Sequence, residues 1–74
     1  MITSTQLRTH ANNADAFEAI NHGQRTLGIT YADLAAIDRL AAQLLDDDDA
    51  GEITLTAWPE ATALVELARR IHTR

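Results

Sequence analysis

Apolar side chains at Leu34, Ile37, Leu40, Ala41, Leu44 and Leu45 recur at steps of three and four. That spacing lines them along one side of a 3.6-residue helix and requires a core for them to face. Thr30 is suited to the N-cap, where a hydroxyl accepts a bond from a backbone N–H one turn in, and Asp33 stands where a capping box places its acid. The pattern predicts a central helix over 30–45, followed by the run Asp46-Asp47-Asp48-Asp49 as a solvated loop.

Two flanking helices follow from the same logic. Thr3-Ser4-Thr5-Gln6 reads as a capping box, and Leu7, Ala11, Ala14, Phe17 and Ile20 succeed it at helical steps, predicting a helix over 4–22 with Gly23 at its left-handed end. Asn12-Asn13 is its weak point, since asparagine lowers helix propensity. Gln24 to Ile29 reads as a short connection with a turn at Gly28. Pro59 opens a last helix over 59–72, whose buried stripe is Ala61, Leu64, Leu67 or Ala68, and Ile71. Glu52 to Thr56 alternates like a strand but has no partner, so an extended loop or a single helical turn is expected at 53–57. The predicted fold is all-α, a small three- to four-helix bundle in one domain spanning residues 1–74.

Length narrows this further, because 74 residues hold one small core and no deep cleft. There is no cysteine, hence neither a disulfide framework nor a thiolate metal site. No apolar run approaches the ~20 residues that span a bilayer, and Met1-Ile2-Thr3-Ser4 lacks the basic start of a signal peptide, so a cytoplasmic protein is expected. The net charge of −5 is uneven: between Asp33 and Glu52 seven acids face only Arg39. A basic protein partner fits that balance, whereas nucleic acid and membrane do not.

Candidate chemistry is sparse. Asp46, Asp48 and Gly51 fall on positions one, three and six of a calcium loop, but Ala50 and Ala57 occupy positions five and twelve, where oxygen ligands are needed. His10, His22 and His72 lack the helical spacing of a metal clamp and are expected at the surface. The stretch Ile29 to Ala35 has some character of a helix-turn-helix, yet no glycine turn follows it. Ser4, the only serine, already serves a helix start, so neither an enzyme nor a cofactor is expected. Trp58 reads as a lid on the core beside Pro59.

Ile29-Thr30-Tyr31-Ala32-Asp33-Leu34-Ala35-Ala36-Ile37 resembles the start of the second helix in acyl and peptidyl carrier proteins, especially the discrete carriers of aromatic polyketide pathways. Trp58-Pro59-Glu60-Ala61-Thr62-Ala63-Leu64 is similar to the opening of that family's last helix. In this alignment Asp33 falls on the serine that carries phosphopantetheine, and Ala32 on the aspartate before it. A carboxylate cannot form the phosphodiester, so the resemblance implies a carrier-like protein without its prosthetic group. It also implies docking onto biosynthetic enzymes through an acidic second helix, with Asp33 and Asp38 supplying charge and Leu34, Ile37 and Ala41 apolar contact. The competing expectation is an unrelated acidic helical adaptor or inhibitor that binds a basic protein surface.

Overall fold

The computed structural model describes residues 2–73. Three helices dominate: α1 (Ser4–Ile20), α2 (Tyr31–Asp49) and α3 (Pro59–His72). Between α1 and α2 lies a small antiparallel hairpin, β1 (Arg25–Thr26) with β2 (Ile29–Thr30), and a 3-10 turn at Leu55–Ala57 precedes α3.

The helix starts follow their caps. The Thr3 hydroxyl accepts from the Gln6 amide while the Gln6 side chain accepts from the Thr3 amide, closing a capping box on α1. At α2 the Thr30 hydroxyl accepts from the Asp33 amide at 3.1 Å. Pro59 opens α3 with Glu60 in its first turn. Helix α1 runs unbroken through Asn12-Asn13, and the Asn12 side chain accepts a bond from Arg39 of α2 that offsets its low propensity.

The element ends differ from expectation in three places. Helix α1 stops at Ile20, and Gly23, at φ 75°, occupies the third place of a turn closed from the Gln24 amide to the Asn21 carbonyl. The connection after it is a hairpin whose two-residue loop, Leu27-Gly28, has positive φ at both positions, 55° and 84°. Helix α2 continues four residues beyond Leu45, so the aspartate run is helical and not a loop. Its end is closed by the Glu52 amide on the Asp47 carbonyl at 2.8 Å and the Gly51 amide on the Asp48 carbonyl at 3.1 Å, with Gly51 left-handed. That pair of bonds is a Schellman ending, which carries the helix past four like charges.

Helices α1 and α2 run antiparallel, with Arg39 of α2 also reaching Asn12 on α1. Arg8 near the start of α1 meets Asp46 near the end of α2, and His72 at the end of α3 meets Asp38 in the middle of α2. Two apolar clusters fill the interior: Ile2, Leu7, Ala41, Ala42, Leu44, Ala61, Val65 and Ala68 form one, and Ala11, Ala14, Leu34 and Ala35 the other. The core is therefore mostly alanine, which lets helices approach closely but leaves large side chains outside. Phe17, Ile20, Leu40 and Leu67, expected inside, are substantially exposed, as are Leu27 and Trp58, the latter at 46 %. Among the described residues no helix is long and apolar enough to cross a membrane.

Candidate functional site

The five residues expected to form a partner-binding face of α2 do not share a surface. Leu34, Asp38 and Ala41 are buried, Asp38 and Ala41 with no accessible area at all. The reason is geometric: residues 34, 38 and 41 are separated by four and three, so Asp38 falls on the apolar stripe itself. Asp33 alone of the two expected charges is exposed, one turn into α2, and Ile37 is half-buried.

Among the described residues Asp38 is the one buried charged residue. Both of its carboxylate oxygens lie 2.8 Å from Nε2 of His72, so while Asp38 is ionised that nitrogen carries a proton and donates it. His72 is also nearly buried, its side chain 10 % exposed, and its ring stacks on that of His10 with centroids 4.0 Å apart and planes 11° from parallel. One residue from each helix thus meets at a single point. Burial pushes the Asp38 carboxyl above its usual range, against the opposing pull of the His72 bond and charge, then of His10 and Arg39. His72 and His10 correct the expectation of surface histidines. Parallel rings 4.0 Å apart have nitrogen lone pairs in separate planes, which does not suit chelation of one ion. Among the described residues no three His, Asp or Glu side chains stand together as a metal site.

The acidic end of α2 is the second feature. The Arg8 guanidinium binds Asp46 at 2.6 Å, and the Ser4 hydroxyl followed by Arg8 holds the Asp46 carboxyl below its usual range. Asp47 accepts from the Gln43 amide at 2.8 Å, and Asp48 accepts from the Leu55 backbone amide at 3.0 Å. Asp48 and Asp49 are exposed, and Glu52 follows them on the surface. Carboxylates at a helix C-terminus face the negative end of the macrodipole, each costing roughly 0.3–1 kcal/mol. The sequence placed these acids in a loop, where no such cost arises.

A third feature is an open groove of about 410 Å³ lined by Leu27, Ile29, Ile37, Leu67, Arg70 and Ile71. It joins the hairpin to the seam between α2 and α3. Leu27 stands on its lip in a left-handed conformation that a leucine rarely adopts.

No family model matches the chain, and no curated protein or solved structure shows significant similarity to it.

Proposed function

We propose that this chain is a non-catalytic docking module that offers the acidic last turn of α2 to a basic surface on a protein partner. The observation that carries this reading is the placement of Asp46 to Asp49 in ordered helix at the end where negative charge is least favourable. Among the described residues only Asp46 of the four is paired with a cation. Elements that break a local stability rule are those expected to serve a function. A patch of this kind steers a cationic surface into place and loses its pull as salt rises.

The reading is tested by replacing Asp47, Asp48 and Asp49 with asparagine and comparing capture of basic proteins from an extract of the source cells at low and high salt. Asparagine retains the side-chain oxygen that Asp48 offers to Leu55. The native chain should retain a basic partner that the triple variant and high salt both release. Equal retention by the two chains sinks the idea.

A narrower reading, docking onto biosynthetic enzymes as a carrier-like protein, draws support from Asp33, which is exposed at the head of α2 as an attachment residue would be. The burial of Leu34, Asp38 and Ala41 leaves that reading with less of its contact face. Incubation of the Asp33→Ser variant with a phosphopantetheinyl transferase and coenzyme A, followed by intact mass, tests it. Gain of the arm by the variant supports a carrier-like scaffold; failure favours the unrelated adaptor.

A further inference from the structure

The cluster of Asp38, His72 and His10 is not used by an acidic docking surface, yet it joins all three helices. Its chemistry depends on one proton. With Nε2 of His72 committed to the carboxylate, the ring's second proton can only sit on Nδ1. When that proton is present, an imidazolium faces the buried carboxylate and the pair is neutral as a whole. When it leaves, a buried anion is held by a single neutral donor, the arrangement that costs most inside a protein.

The groups that face Asp38 are His72 from α3, His10 from α1 and Arg39 from α2 itself. Arg39 is engaged with Asn12 and Asp15 on α1, so its charge is shared outward. His10, lying flat on His72, offers a π face to a cation while it is neutral. Apart from this cluster, the far end of α3 is held by Ile71, which packs against Ala11, Ala14, Leu34 and Ala35. Unlike α2, it has no left-handed glycine ending: its cap, Thr73, sits at φ −115° and its hydroxyl donates back to the Arg69 carbonyl at 2.7 Å.

We propose that Asp38, His72 and His10 form a proton-operated clasp that seats the last turn of α3 while His72 carries its second ring proton and loosens it when that proton leaves. Arg70 and Ile71 ride on this turn and form one wall of the groove beside Leu27, Ile29 and Ile37. The clasp therefore couples proton concentration to the shape of that groove.

Amide hydrogen exchange on the full chain reads the clasp directly. Protection factors for Arg70, Ile71 and His72, corrected for intrinsic exchange, are compared at roughly pH 6 and pH 8.5. The native chain should show at least about fivefold greater protection at the lower pH, with the amides of Ala35 and Ala42 in α2 unchanged. Asp38→Asn should be flat with pH, because the buried charge is gone while an acceptor for His72 remains. His72→Gln, which keeps a donor but cannot titrate, should be flat as well and serves if Asp38→Asn does not fold. Equal native protection at both pH values, or a step that survives in either variant, overturns the proposal.

Discussion

Nε2 of His72 lies 2.8 Å from both carboxylate oxygens of Asp38, although the two residues are 34 apart in the chain and Asp38 is fully buried. Burial is the largest influence on that carboxyl and raises it above the ordinary 3.8. The sign follows from linkage. A carboxyl raised in the folded state binds its proton more tightly there than in the unfolded chain, so its stabilising contribution is complete below 3.8 and is lost as pH rises through the folded value. Above that window ionised Asp38 weighs against folding. Thermal unfolding of Asp38→Asn should therefore occur at higher temperature than that of the native chain near pH 8, with the gap closing as pH approaches 4. A gap that grows on acidification contradicts this assignment.

Leu7 is the largest apolar side chain with no accessible surface, and it sits in the cluster that joins α1 to the alanines of α2 and α3. Alanine neighbours have no side-chain torsion to rotate into a void, so the cavity left by Leu7→Ala would stay open. Such truncations cost about 2–5 kcal/mol, a large share of the stability available to so short a chain. The variant should lose cooperative unfolding at ambient temperature, seen as a flattened melting curve by circular dichroism. Truncation of the exposed Leu40 to alanine should leave the curve almost unmoved.

Leu27 occupies the first loop position of the hairpin at φ 55°, next to Gly28 at φ 84°. A leucine held there costs roughly 1–2 kcal/mol relative to residues that enter the left-handed region freely. Its side chain is half exposed and recovers little of that by burial. Leu27→Asn restores the Asn-Gly pair that such turns favour and should raise stability by about 1 kcal/mol, or roughly 4–8 °C in melting temperature. A lower melting temperature would mean that contacts of Leu27 along the groove outweigh its backbone strain.

The helix starts were legible because each is written in adjacent residues: Thr3 with Gln6, Thr30 with Asp33, and Pro59 with Glu60. The hairpin was not, since its strands are two residues long and its loop begins with leucine in place of asparagine or glycine. The extension of α2 through Asp49 escaped because it depends on the Schellman bonds made by Gly51 and Glu52, which counter an unfavourable local charge. For Asp38 and His72 a signal did exist. Asp38 lies four after Leu34 and three before Ala41, and His72 lies four after Ala68, so each falls on its helix's buried stripe. A single acid and a single histidine on the stripes of adjacent helices could have been paired; reading them as surface residues set the amino-acid type above its position.

The acidic end of α2 leads to a prediction in which stability and binding move in opposite directions. Asp47, Asp48 and Asp49 are adjacent like charges on the last turn, with Glu52 close behind and the negative end of the helix dipole beneath them. Conversion of all three to asparagine removes that repulsion and keeps the oxygen acceptors that meet Gln43 and Leu55. Each change should stabilise the fold by up to about 0.3–1 kcal/mol at low ionic strength, and the gain should shrink as salt screens the native charges. Denaturant titrations at low and high salt measure both effects. The same variant is expected to lose its basic partner, so a chain that folds better while binding worse is the signature of charge retained for docking. If the native chain is instead the more stable of the two, the aspartates support the fold, and the argument that they are held there for a partner fails.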